Sequence, residues 1–432
     1  MPIRIDSRNS DFAAQFTAFL ASKREASADV EAVVRAVIDD VRLRGDTAVI
    51  EATRKFDRFA VDAGGLRFTP AEIDEAVKAC DAATLDALAF ARDRIEAFHQ
   101  RQMPKDERFT DVLGVELGWR WSAVEAVGLY VPGGTAAYPS SVLMNVVPAI
   151  VAGVPRVVMV VPTPDGKILN PLVLAAARLA GVSEIYRVGG AQAIAALAHG
   201  TATIAPVAKI VGPGNAYVAA AKRLVFGKVG IDMIAGPSEV LVIADKTGNA
   251  DWIAADLLAQ AEHGEDSQSI LITDDDDLAR DVERAVEAQL ATLPREAIAR
   301  ASWNDFGAVI RVQNLDEAAQ LADAIAAEHL EIMTADPDAL AAKIRNAGAL
   351  FLGPHTPEAI GDYVGGSNHV LPTARSARFS SGLGVLDFMK RTSILRCGPD
   401  QLRALGPAAM TLGNAEGLDA HSRSIGRRLN LP

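Results

Sequence analysis

The sequence predicts an α/β protein with two parallel-sheet units, a helical segment before them and a helical tail after them. Three observations carry that expectation. From Glu125 onward, short apolar runs alternate with helix-like runs, the rhythm of a parallel sheet covered by helices on its faces. The chain has 432 residues, too many for one ordinary core and enough for two or three domains. Half of it is hydrophobic and 23% is charged, a balance that can fill such cores and still dissolve.

Taken in order, the first 110 residues read as helices. Ser27 to Phe56 carries Val30, Val33, Val34, Val37, Ile38 and Val41 on one helical face. A second helix opens at Thr69-Pro70-Ala71-Glu72 and runs to about Gln102. There Thr69 can cap, Glu72 can bond back, and proline suits the first helical position. Val112 to Trp121 alternates as paired strands do. Strand candidates follow at Val127 to Val131, Arg156 to Val161, Glu184 to Val188, Lys209 to Val211 and Glu239 to Ile243. Helices lie between them, such as Pro171 to Ala180 with Asn170 as its cap. The rhythm resumes at Ser269 to Thr273, Ala308 to Val312, Leu330 to Thr334 and Ala349 to Leu352. The two units meet near Gly236-Pro237-Ser238, and after Phe379 the chain becomes glycine-rich, then helical.

Composition excludes several classes of function. A net charge of −12 argues against a nucleic-acid partner or an anionic membrane surface. The most apolar stretch, Val142 to Val161, is broken by Pro148, Pro155 and Arg156, so it does not read as a membrane span. Met1-Pro2-Ile3-Arg4-Ile5-Asp6 carries charges and no apolar signal core. Cys80 and Cys397 stand far apart, which excludes a disulfide framework and a thiolate zinc site. The expected setting is a reducing cytoplasm.

Three glycine-containing turns follow strand candidates: Tyr130-Val131-Pro132-Gly133-Gly134, Gly189-Gly190-Ala191-Gln192 and Gly212-Pro213-Gly214-Asn215. Glycine permits close backbone approach, and a following helix N-terminus offers amides to a phosphate. None fits G-x-G-x-x-G with a distant acidic partner. Singly, each also reads as an ordinary strand-to-helix turn. Gathered at the carboxyl ends of strands in one sheet, they would form a ligand crevice.

Four of the seven histidines sit beside carboxylates or carboxamides in the last part of the chain. In the helix Asn249 to His263, Gln260 and His263 are three apart and share a face, and Gly264 stops the helix. Amide oxygen and imidazole nitrogen suit zinc or manganese, although a plain surface pair has the same spacing. Asp362 precedes the polar loop Gly365-Gly366-Ser367-Asn368-His369, and His421 lies in the C-terminal helix, five residues after Glu416. Glu328-His329 ends a helix and begins a strand, where the pair can supply two acid–base groups of different pKa. A histidine that only stabilises a helix C-terminus is the plainer alternative.

These residues lie in longer motifs. The glycine turns, with Ala235-Gly236-Pro237-Ser238-Glu239, Gln260-Ala261-Glu262-His263, Glu328-His329-Leu330-Glu331 and Gly365-Gly366-Ser367-Asn368-His369, closely resemble histidinol dehydrogenase. The motifs run in the family's order from about residue 25 to the end. The resemblance implies two incomplete Rossmann-like domains and a homodimer whose tail reaches into the partner's site. It implies oxidation of L-histidinol through the aldehyde to L-histidine with two NAD+, and one zinc ion per subunit held by Gln260, His263, Asp362 and His421. Glu328 and His329 become the proton acceptors. Ser238, His369 and Glu416 join His329 and the zinc ligands around the substrate, while Tyr130, Gln192 and Asn215 hold the dinucleotide.

The division so implied is an arm over 1–25, a first α/β domain over 26–125 plus 239–380 carrying most of the metal site, a dinucleotide-binding domain over 126–238, and a tail over 381–432. Two rival readings remain beside it. A zinc-dependent amide hydrolase would use the same metal donors with Glu328 activating water, but leaves the glycine turns unexplained. A non-catalytic nucleotide-binding module leaves the histidine–carboxylate groups unexplained.

Overall fold

A computed structural model describes residues 1–21, 28–132, 138–166, 170–182, 184–234 and 236–431. Its strands, in chain order, are β1 (Ile3–Asp6), β2 (Glu107–Thr110), β3 (Glu116–Ala123), β4 (Val127–Tyr130), β5 (Val157–Val160), β6 (Glu184–Tyr186) and β7 (Lys209–Val211). They continue with β8 (Gly230–Ile231), β9 (Glu239–Ala244), β10 (Gln268–Thr273), β11 (Ala308–Arg311), β12 (His329–Met333), β13 (Ala349–Leu352) and β14 (Met389–Arg396).

A five-stranded sheet runs β6-β5-β4-β7-β8, and a six-stranded sheet runs β1-β11-β10-β9-β12-β13. Every pairing in both is parallel. Apart from the added edge strand β1, each sheet has the same doubly wound, Rossmann-like order, reversing between β4 and β7 in one and between β9 and β12 in the other. Helices cover both faces, so β5, β9 and β10 are buried at every residue. That double burial is why these strands read as continuous apolar runs without alternation.

The helical N-terminal region departs from its expected outline. Ile3 pairs with Ala308, so the chain begins with a strand that sequence pattern did not show. The single helix expected from Ser27 to Phe56 is two, Ala28–Arg44 and Asp46–Phe56, broken at Gly45 with φ of +57°. Ser27 itself lies outside the described residues. The helix from Thr69 keeps its capping box, with Thr69 N–H donating to Glu72 Oε2 at 2.8 Å. It stops at Lys78, and Asp81 caps a new helix, Ala82–Gln100. Val34, Ile38, Val41 and Val49 share a core cluster with Tyr130, Val158 and Ile194. Residues 28–56, grouped by sequence with 239–380, therefore rest on the five-stranded sheet.

The paired strands expected over Val112 to Trp121 lie further apart: β2 ends at Thr110, a turn follows, and β3 starts at Glu116, the two paired antiparallel. Strand β14 adds to β3 and brings the tail back across the molecule. Beyond it, helices Pro399–Ala415 and Asp419–Arg428 lie against each other. A Cβ on Gly406 would stand 2.6 Å from Leu429, so glycine sets that close approach. These two helices bury little besides Gly406, Gly413, Ser422 and Gly426, and leave Leu412 and Leu418 exposed. Among the described residues, no helix is long and apolar enough to cross a membrane.

Candidate active site

A cleft of about 400 Å³ opens between the two sheets, and it meets them at opposite ends. Pro132 follows β4 and Gly212-Pro213-Gly214 follows β7, so the five-stranded sheet presents its carboxyl ends at the point where strand order reverses. Gly133 and Gly134 of the first glycine turn, and Ala235 before the second unit, lie outside the described residues. The six-stranded sheet presents its amino ends: Ser238 precedes β9, and Glu328-His329 stand at the start of β12. His263, Asp362 and His369 complete that wall.

The preceding helix, Leu315–Ile325, is closed by Ala326 in the left-handed region, at φ of +51°. Parallel pairing then sets His329 opposite Val240. His329 Nδ1 lies 3.1 Å from the Glu239 carbonyl oxygen. A carbonyl only accepts, so Nδ1 carries the proton and Nε2 is left as the acceptor. Nε2 has no hydrogen-bond partner and stands 3.8 Å from Asp362 Oδ1. Burial depresses the imidazole pKa to about 4, which keeps the ring neutral at pH 7. Glu328 Oε2 accepts from the Glu239 N–H at 3.1 Å. Burial raises its carboxyl well above the usual range.

A second rank of carboxyls stands behind this pair. Glu358 Oε1 lies 3.6 Å from His329 Nδ1, and Glu331 Oε1 accepts from the Glu358 N–H at 2.7 Å. Burial pushes Glu358 and Glu331 well up, and holds Asp256 at about 6. Sequence reading assigned no role to any of the three. The one local signal was Glu331 inside the apolar strand β12, a strand buried at every position.

The expected metal donors meet different fates. Gln260 lies in the last turn of the helix Ala250–Ala261, fully buried, with neither side-chain atom hydrogen-bonded. His263, just beyond, stands exposed on the cleft wall. Asp362 lies in the helix Glu358–Tyr363, and His369 Nδ1 reaches its carbonyl oxygen at 2.9 Å while Nε2 meets Ser141 Oγ at 3.2 Å. His329, Glu358 and Asp362 bring ligand atoms within 4.8 Å of one another, so Asp362 is common to this trio and to the expected set. Glu416 and His421 are exposed on the tail and take no part in the cleft of their own chain.

The expected dinucleotide residues flank the glycine turns and do not line the cleft. Tyr130 ends β4, with its hydroxyl accepting from Gly190 N–H at 3.1 Å, and burial pushes its phenol up to about 12. Gln192 is buried in the first turn of the helix Gly190–His199. Asn215 caps the helix Ala216–Val225, accepting from Tyr217 and Val218 N–H.

The sequence profile described as histidinol dehydrogenase matches residues 20–429. The chain belongs to the histidinol dehydrogenase family. It is 81% identical over 431 residues to the histidinol dehydrogenase of Bradyrhizobium diazoefficiens, covering 100% of both chains. Against the Nitrobacter winogradskyi histidinol dehydrogenase it is 83% identical over 430 residues, again with 100% of each covered. The crystal structure of histidinol dehydrogenase from Elizabethkingia anophelis superimposes with a TM-score of 0.94 at 35% identity, over 99% of this chain and 98% of that one. As a member of the histidinol dehydrogenase family, the protein is an oxidoreductase.

The neutral state of His329 has a consequence for stability. With a folded pKa near 4 against an ordinary 6.5, the imidazole binds fewer protons folded than unfolded. Its contribution is therefore complete above about pH 6.5 and is lost as pH falls toward 4. Urea unfolding of metal-free protein between these pH values should show a steeper loss of stability than His329→Gln, by up to about one proton in slope. Equal slopes would show that the folded imidazole is charged.

Proposed function

We propose that this cleft oxidises L-histidinol through its aldehyde to L-histidine, using two NAD+ and one zinc ion per subunit. The observation that carries the reading is His329: buried, neutral, its Nδ1–H committed to Glu239, and its free Nε2 turned to the cleft. Removing hydride from a primary alcohol requires the hydroxyl proton to leave too, and Nε2 is a base ready to take it. The second oxidation starts from a hydrated aldehyde. Burial favours the protonated Glu328 carboxyl; a cation in the cleft would favour its carboxylate, which would then take a proton from water. When bound, NAD+ supplies the hydride acceptor.

The donor set fits zinc in kind. Gln260, His263 and Asp362 offer an amide, an imidazole and a carboxylate, all acceptable to that ion. Gln260 is the most telling, because a fully buried amide with no partner at either atom is rare unless something else binds it. Bound there, zinc would supply a Lewis acid that polarises oxygen and orients polar groups. Glu358 lies on the Nδ1 edge of His329, already held by Glu239, so the expected donors suit the ion better than the trio around His329. Ser238 and His369 stand on the wall where substrate would rest. Tyr130, Gln192 and Asn215 beside the glycine turns are the dinucleotide contacts.

His421 would be the fourth zinc ligand and Glu416 a substrate contact, each given to the neighbouring chain of a homodimer. Supporting this, the tail has almost no core of its own, exposes Leu412, Leu418 and Leu431, and holds both residues away from its own cleft. A cytoplasmic setting accords with the negative charge and the two unpaired cysteines. An amide hydrolase would not need the Gly212 turn, which forms one wall of the same cleft.

Histidinol with NAD+ should yield two NADH per histidinol, with no turnover of simple amides. Glu328→Gln should slow the aldehyde step by about 10²–10⁴-fold and the alcohol step less. A stoichiometry of one, or equal slowing of both steps, would remove Glu328 from the water-activating role. Chelation of zinc, or Asp362→Ala, should abolish oxidation while the circular dichroism spectrum stays native; full activity without metal would sink the zinc assignment. Mixed His421→Ala and His263→Ala chains should regain activity on subunit exchange, since one site of the hybrid dimer receives every intact ligand. A mixture that exchanges and stays inactive places all ligands in one chain.

A further inference from the structure

Beside the Gly212 turn, on the wall of the cleft, lies an ion pair that the acid–base chemistry proposed above does not use. Lys222, from the helix Ala216–Val225, meets Asp232, just past β8, with side-chain exposures of 3% and 1%. Both also grip one residue. Gly212 N–H donates to Asp232 Oδ2 at 2.8 Å, and Lys222 Nζ donates to the Gly212 carbonyl oxygen at 3.0 Å. Asp232 is anchored in turn by its own N–H on the Ile210 carbonyl at 3.2 Å.

Gly212 needs such a clamp. Its φ is +106°, and a Cβ there would stand 2.2 Å from the Tyr130 carbonyl oxygen. Only glycine can make that crossing between β7 and β4, and glycine alone is also the least constrained residue of the chain. Stability by itself does not call for buried charges at this place, since an apolar pair of similar volume generally serves as well. What an apolar pair cannot do is hold a peptide N–H and a carbonyl at once.

The turn so held carries Pro213 and Gly214 into the cleft wall and leads into Asn215, cap of the helix Ala216–Val225. It sits where strand order reverses, with helix amides following, the place where parallel sheets receive nucleotide phosphates. We propose that Lys222 and Asp232 are positioning residues that lock the Gly212–Asn215 turn for close approach of the dinucleotide. This rests on the NAD+ reading and adds to it the pair through which the turn is held.

The test is a double variant, Lys222→Met with Asp232→Leu, which removes both hydrogen bonds to Gly212 without stranding a lone buried charge. In the holoenzyme, NADH binding by fluorescence and KM for NAD+ should both weaken by at least about tenfold, the loss expected from a charge-assisted hydrogen bond. KM for histidinol should stay within about twofold, with a native circular dichroism spectrum. If the double variant fails to fold, Lys222→Gln, which keeps a donor at shorter reach, should show the same selective weakening to a smaller degree. Unchanged NADH binding in a folded variant overturns the inference and leaves the NAD+ reading intact. So does a parallel fall of both affinities and of thermal stability, which would make the pair purely structural. An unmutated protein that binds no NADH would instead overturn the functional reading and the inference together.

Discussion

The parallel register between β9 and β12 is what the cleft depends on. It sets His329 opposite Val240, one residue past Glu239, so that the backbone of one residue, Glu239, faces both Glu328 and His329. Its N–H meets the Glu328 carboxylate, and its carbonyl meets His329 Nδ1. One residue of slip would turn His329 to the other face of the sheet and replace its carbonyl partner. Such slippage is opposed by both faces of the strands, since Leu241, Ile243, Leu330 and Ile332 pack into one cluster while Val240, Val242 and Met333 pack into another. Hydrophobic burial on two sides thus decides a tautomer and aims one nitrogen into the cleft.

That register also places an unusual number of acids in a dry region. Burial raises Glu328, Glu331 and Glu358 and lowers His329. All four shifts favour the uncharged forms, so the formal charge of the neighbourhood greatly overstates what is present at neutral pH. The fold tolerates the cluster for that reason, because uncompensated buried charge would cost several kcal/mol per group. A cation entering the cleft would reverse the balance and favour the carboxylates. The five-stranded half handles burial differently: Lys222 and Asp232 pair with each other and with the Gly212 backbone.

The two halves share a strand order yet use opposite ends. The five-stranded sheet follows the usual rule, with its glycine turns at carboxyl ends near the reversal of strand order. The six-stranded sheet places Ser238, Glu328 and His329 at amino ends, with Glu328 and His329 against the Glu239 backbone. Facing these two ends toward each other makes one cleft from both sheets.

The amino-acid sequence by itself determined the fold class, the main parallel strands within a residue or two, the capping box at Thr69 and the glycine turns. Those features rest on local physics: continuous apolar runs buried on both faces, side chains that satisfy their own helix ends, and backbone conformations open to glycine. It also showed Glu328-His329, Gln260 and His263, and Asp362 with His369, since each pair is close in the chain. Tertiary structure alone decided that β1 joins β11, that the helices of residues 28–56 lie on the five-stranded sheet, and that Glu358 and Asp256 back His329. It alone joined Lys222 to Gly212 as well, and left Glu416 and His421 outside their own chain's cleft. Each of these depends on which distant surfaces meet, and that is set by strand register and helix packing across tens to hundreds of residues, where spacing along the chain carries no information.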